Sequence, residues 1–224
     1  MLDWSRITTV LLDMDGTLLD LRFDNHFWLE HVPHRFAERH ALPLEQARSQ
    51  LLERYRAVEG TMAWYCIDYW SEQLGLDIGQ LKLEVDHLIA VHPHVVTWLD
   101  ALRASGRRAV LVTNAHGRSL ELKLQRTRLG GHLDGVVCAH DFGLPKEQAG
   151  FWSQLQQREP FTPPATLLID DSLPVLRSAA RYGIGQLLAV RRPDSGHPPR
   201  ETAEFAALES FADLLPVPAL AAVD

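Results

Sequence analysis

Cysteine is scarce in this chain: its 224 residues include only Cys66 and Cys138. They form no CxxC pair and show no ligand spacing, which argues against a disulfide scaffold or a structural zinc framework and for a reducing cytoplasm. No apolar run approaches the ~20 residues that a membrane-spanning helix needs. The N-terminus, MLDWSRITTV, carries no charged-then-apolar export pattern, so a cytoplasmic location is expected. Basic charge is in deficit, with 22 Lys+Arg against 29 Asp+Glu and a net charge of −7. That balance argues against a nucleic-acid polymer as partner, because such binders carry a basic face. It leaves room for a small anionic substrate, since a bound metal and a few placed cations reverse the local field. Internal repeats, low-complexity tracts and an HExxH pair are absent as well. The eleven histidines are scattered. His92 and His94 bracket Pro93 at a helix start, where a loop without metal is expected.

The chain is rich in the material of a buried core, with 46% hydrophobic residues. Five short apolar runs read as buried strands: Thr9–Leu12, Ala109–Val112, Val136–Ala139, Ala165–Ile169 and Leu187–Val190. Helical periods lie between them at Val95–Ala104, Ser119–Leu129, Glu147–Gln157 and Val175–Tyr182. This alternation predicts an α/β fold, a parallel sheet covered by helices on both faces. The interval between the first two strands is too long for one crossover. Within it, Leu44, Ala47, Leu51 and Tyr55 fall on one helix face, and Leu81, Val85, Leu88 and Ile89 on another. Residues 21–90 are therefore expected to form an all-helical insertion, with residues 1–20 and 91–224 forming the α/β domain. After the Pro- and Gly-rich RRPDSGHPPR loop, a last amphipathic helix is expected near Glu201–Leu214.

Four short signals stand at the ends of successive predicted strands. In Asp13-Met14-Asp15-Gly16-Thr17, two carboxylates one residue apart can converge on one pocket. Asp13 could then attack phosphorus, and Asp15 serve as acid and base toward the leaving oxygen. Thr113 and Asn114 follow the second strand, where a hydroxyl, an amide and the next helix N-terminus can hold phosphate oxygens. Lys146, after the third strand, can neutralise phosphate and carboxylate together. Asp170 and Asp171 follow the fourth strand, and adjacent acids there would repel one another without a cation. Mg2+, which takes oxygen ligands and keeps several waters, suits such a pair. Each signal alone has an ordinary reading as a turn, a cap or a surface charge. Their common place at the carboxyl edge of one sheet, where α/β ligands bind, makes a single site the better account.

In that order, DMDGT, TN, K and DD resemble the four motifs of the haloacid dehalogenase-like superfamily of phosphohydrolases. The helical insertion after the first motif is similar to that superfamily's type-1 cap. The resemblance implies a Rossmann-like three-layer α/β/α core, Mg2+ dependence and an aspartyl-phosphate intermediate. It implies that Asp13 is nucleophile and metal ligand, and that Asp15 is acid/base with its backbone carbonyl on the metal. Thr113, Asn114 and Lys146 would bind phosphate, and Asp170 and Asp171 the metal. An acid at Asp15 favours a phosphatase over a dehalogenase. Pro174 stands where many relatives place a later aspartate, so the metal site rests on the Asp170-Asp171 pair.

A narrower resemblance lies in LDLRFDNHFW and WYCIDYWSEQLGLDI, which are similar to the superfamily's bacterial 5'-nucleotidases acting on GMP and IMP. It implies a purine nucleoside 5'-monophosphate as substrate. Half of the eighteen aromatic residues lie between Phe23 and Trp70. Most are expected to pack the helices of the insertion, with Trp28 and Trp64 as candidates to stack on a base. Asp24, Asn25 and Asp68 are the polar candidates for reading its edge. Arg118 reads as solvated surface, with a phosphate or ribose contact as the alternative. Two other readings stay open: a sugar-phosphate or phosphoglycolate-type phosphatase or phosphomutase using the same motifs, and a catalytically idle binding protein.

Overall fold

The computed structural model describes residues 2–220. Six parallel strands form one sheet: β1 (Thr9–Leu12), β2 (Arg108–Thr113), β3 (Gly135–Cys138), β4 (Thr166–Asp170), β5 (Gln186–Val190) and β6 (Ala206–Leu208). Their spatial order is β3-β2-β1-β4-β5-β6, so strand order reverses between β1 and β4 at the centre. The two pair in register, Leu12 beside Ile169.

Every residue of β1 and β4 is buried, as expected of parallel strands covered on both faces. The two-residue period sends alternate side chains to opposite layers. Val10, Leu12, Leu167 and Ile169 face one core, closed by Trp98, Leu99 and Leu102 of a helix at Val95–Ala104. Leu11, Val110 and Leu168 face the other, closed by Phe151, Trp152 and Leu155 of a helix at Ala149–Arg158 and by Val175, Leu176 and Ala179 of one at Leu173–Tyr182. The fold is the expected three-layer α/β/α arrangement, with helix ends displaced from expectation by up to two residues.

Between β1 and β2 the described elements are helical: Arg22–His26, a π turn at Phe27–His31, Val32–His40, Leu44–Val58, Met62–Tyr65, Ile67–Leu74 and Ile78–Glu84. They enclose a cluster of their own around Phe23, Phe27, Phe36, Leu51, Tyr55, Ile67, Trp70 and Ile78. The chain enters and leaves this unit side by side. The Asp20 amide donates to the Ala90 carbonyl at 2.9 Å, and Leu19 bridges Val91. No helix among the described residues is long and apolar enough to cross a membrane.

The C-terminal segment departs from expectation. Where a helix was expected at Glu201–Leu214, residues Ala206–Leu208 form the edge strand β6 against β5 and Phe211–Leu214 a single 3-10 turn. Apolar residues at every third position, Phe205, Leu208, Phe211 and Leu214, are compatible with a helix. Pairing of Leu188 with Ala206 and the seat of Phe211 against Trp98, 5.0 Å between ring centroids, decide otherwise. His92 Nε2 donates to the Pro193 carbonyl at 3.1 Å, in a loop with no part in a metal cluster among the described residues.

Candidate active site

Because β1 and β4 are neighbours in register, Asp13 and Asp170 leave the sheet together where strand order reverses, the usual ligand crevice of an α/β sheet. The Lys146 ammonium sits between them, 2.5 Å from Asp13 Oδ1 and 2.7 Å from Asp170 Oδ2, and also donates to the Val112 carbonyl at 3.1 Å. Asn114 fixes the loop that delivers it. Its Oδ1 accepts from the Lys146 amide at 2.9 Å, and its Nδ2 donates to Glu147 at 3.0 Å. Thr113 Oγ1 accepts from the Ala115 amide at 3.0 Å. Both side chains thus shape the pocket floor through bonds of their own. Asp171 is reached from the rim by Arg200, whose guanidinium donates to its Oδ2 at 2.8 Å. Gly16 passes so close that an added Cβ would lie 2.8 Å from the Asp171 carboxylate. Its φ of +84° is one that glycine adopts without strain.

Burial dominates the electrostatics. Desolvation lifts Asp13 and Asp171 to about 7 and Asp170 to about 6, although Lys146 pulls against it. Asp13, Asp170 and Asp171 bring carboxylate oxygens within 4.8 Å of one another. One buried ammonium faces three carboxylates there, and Arg200 adds only a half-exposed guanidinium. An all-oxygen, net-negative cluster of this kind fits a hard divalent cation.

A second network lies beside the first. Lys123 is 2.7 Å from Asp15 Oδ1 and 2.6 Å from Asp24 Oδ2, while Lys82 is 3.1 Å from Asp24 Oδ1. Both lysines are almost wholly buried. Burial opposes ionisation of Asp24, but the two ammonium groups outweigh it and hold the carboxyl at about 2. Burial raises Asp15 in spite of Lys123. Lys82 also lies over the Phe23 and Phe27 rings, at 4.9 and 4.5 Å. Sequence reasoning missed both lysines. The available signal was a lysine on an apolar helix face: Lys123 three residues from Leu120, and Lys82 between Ile78 and Val85.

These groups line one cavity of about 750 Å3, which also holds Asn25, Trp28, Trp64, Tyr65, Glu59 and Arg200. Of the expected specificity residues, Asp24, Asn25, Trp28 and Trp64 border it. Asp24 is spent on the two lysines, and Asn25 donates to Asp194 at 2.6 Å. Asp68 does not border the cavity: it is exposed and pairs with Arg118 at 3.0 Å. Helical phase turns it away while Ile67 and Trp70 point inward. Arg118 is accordingly a surface residue. Tyr65, whose hydroxyl donates to Glu147 at 2.5 Å across the two units, was not anticipated.

Residues 7–183 match the family model described as haloacid dehalogenase-like hydrolase. The chain belongs to this family. As a haloacid dehalogenase-like hydrolase it is 40% identical over 213 residues to the GMP/IMP nucleotidase YrfG of Escherichia coli (strain K12), covering 95% of this chain and 96% of that protein. The same figures hold for the protein of that name in Shigella flexneri. Among solved structures, it resembles a haloacid dehalogenase-like phosphatase from Thermococcus onnurineus with a TM-score of 0.78 at 21% identity, over 93% of this chain and 96% of that one. It also resembles a putative beta-phosphoglucomutase from Thermotoga maritima with a TM-score of 0.67 at 20% identity, over 94% and 98%. At such identities these structures bear on the fold alone.

Proposed function

We propose that this hydrolase dephosphorylates purine nucleoside 5'-monophosphates through a phosphorylated Asp13, with residues 21–90 acting as the cap over the reaction. The observation that carries the reading is Asp13, Lys146 and Asp170 at the floor of a cavity whose outer wall is aromatic. The name of the 40%-identical relatives supports the substrate class.

Asp13 Oδ attacks phosphorus, and the ester oxygen leaves. Lys146 holds the attacking carboxylate in place and offsets the charge gathering on the phosphoryl oxygens. Asp15, positioned by Lys123 and raised by burial, would give the proton that the ribose 5'-oxygen needs as it departs. The same carboxylate then takes a proton from the water that opens the acyl phosphate. Asp13, Asp170 and Asp171, with the Asp15 backbone carbonyl, would hold Mg2+, which when bound supplies charge neutralisation. Trp28 and Trp64 offer faces for a purine, each worth ~1–3 kcal/mol of stacking. Glu59, an exposed carboxylate on the same wall, would accept from a purine N1–H. Closure of the cap keeps bulk water from the acyl phosphate.

Steady-state phosphate release with Mg2+ across nucleoside monophosphates and sugar phosphates tests this reading. GMP and IMP are expected to exceed AMP, pyrimidine nucleotides and sugar phosphates in kcat/KM. Equal turnover of sugar phosphates would overturn the substrate class, and full activity in Asp13→Asn would overturn the mechanism.

A further inference from the structure

Three potential ligands that the proposed reaction does not use come together at the seam between the helical unit and the sheet. Cys66 joins the helices Met62–Tyr65 and Ile67–Leu74. His116 precedes the helix Gly117–Thr127, and His140 follows β3. One donor atom from each lies within 4.8 Å of the other two. These residues come from three separate chain segments, so no local turn motif accounts for the meeting. The imidazoles stand nearly perpendicular, 83° between planes at 5.0 Å, an arrangement that avoids face-to-face stacking. His140 Nε2 is buried and has no hydrogen-bonding partner among the described residues, although such an atom normally finds one.

We propose that Cys66, His116 and His140 form a second cation site, for a borderline divalent ion such as Zn2+, that latches the cap to the sheet. The donor set separates it from the carboxylate cluster. Sulfur and imidazole nitrogen suit Zn2+, whereas Mg2+ takes oxygen. Zinc bonds of about 2.3 Å to sulfur and about 2.0 Å to nitrogen fit donors that all lie within 4.8 Å of one another. The cap supplies the sulfur and the sheet side both imidazoles, so one bound ion ties cap to sheet. Asp68 Oδ2, 3.4 Å from His116 Nε2, stands at the rim as a fourth ligand, an oxygen, or as the group that orients the ring. The Tyr69 amide, which donates to Cys66 Sγ at 3.4 Å, fixes the sulfur at the start of its helix. Burial lowers the pKa of both histidines and favours the neutral imidazole that ligates. The thiol proton passes to solvent on ligation.

The site matters because of what flanks it. Trp64 and Tyr65, next to Cys66, line the cavity, and His116 lies two residues from Asn114. A cation held there pins the aromatic wall against the phosphate end of the pocket and slows the opening that product release requires. The reading rests on the proposed cap, but its spectroscopic test needs no substrate.

Co2+ added to the full-length protein in excess Mg2+ probes the site. One equivalent is expected to give a thiolate-to-cobalt charge-transfer band that Zn2+ abolishes. Cys66→Ser should remove the band although Cys138 remains, and His140→Gln should weaken binding by more than about 100-fold, beyond the effect of outer-sphere changes. Retained Mg2+-dependent hydrolysis would show that both variants are folded. Zn2+ should inhibit the native enzyme more strongly than Cys66→Ser. A missing band in the native protein, or one that survives in Cys66→Ser, would overturn the site. Equal Zn2+ inhibition of both proteins would overturn the latch.

Discussion

Gly16→Ala isolates the contact between the first and fourth motifs. The new Cβ would sit 2.8 Å from Asp171 Cγ and Oδ2, where carbon contacts settle at about 3.5–4.0 Å. The carboxylate must therefore retreat by about 0.7 Å or more. The backbone adds a separate penalty, since a φ of +84° costs a residue with a Cβ about 1–2 kcal/mol. Gly75→Ala supplies the control. It has a similar φ of +64°, but nothing lies within 4 Å of its added Cβ. Both variants should melt lower by about 2–8 °C. Only Gly16→Ala should also lose metal affinity, by about 10–100-fold, as when a ligand's support is disturbed. The assay is phosphate release as a function of Mg2+ concentration. An unchanged half-saturation point in Gly16→Ala, with melting matched to Gly75→Ala, would refute the reasoning.

Asp13, Asp170 and Asp171 are all raised above the ordinary carboxylate value, so the metal-free fold gains from acidification. Their contribution should be full below about pH 4, fall progressively as pH rises and be lost above about 6–7; urea unfolding with EDTA measures this, and saturating Mg2+ should flatten the dependence. Lys123→Met should lower kcat by about 100-fold with little change in KM, because it releases Asp15 without touching the phosphate floor; a KM effect alone would refute the assignment. Trp152 donates to Ser178 at 3.0 Å, whereas the equally buried Trp98 indole has no partner among the described residues. Urea unfolding should therefore show Trp152→Phe costing about 1–3 kcal/mol more than Trp98→Phe.

The strands and the motif residues at their ends were legible because buried parallel strands are short apolar runs and their exits carry the polar residues. β1 matches its expected range residue for residue. β6 was not, since Ala206-Ala207-Leu208 is three residues of weak strand character whose pairing with β5 depends on tertiary contact. The lysine network was also hidden. Lys82 and Lys123 meet Asp24 across 58 and 99 residues of chain, and no local pattern encodes which buried lysine meets which acid. Arg200 ends the RRPDSGHPPR segment, which was read only as a loop, yet it reaches Asp171. In the helical insertion, sequence located the aromatic wall but not which neighbours face the cavity: Trp64, on the helix Met62–Tyr65, lines it, whereas Asp68, on the next helix, does not.

The hydrogen bond from Asp20 to Ala90 and the bridge from Leu19 to Val91 place the start and end of the helical insertion next to each other. A turn of a few residues could span that gap, so the sheet needs nothing from the insertion to close its own chain path. Loop-closure entropy rises only slowly with length, and inserted units of very different size fit the same junction at similar cost. Selection can therefore exchange or enlarge the helical unit while Asp13 and its neighbours at the sheet edge stay fixed.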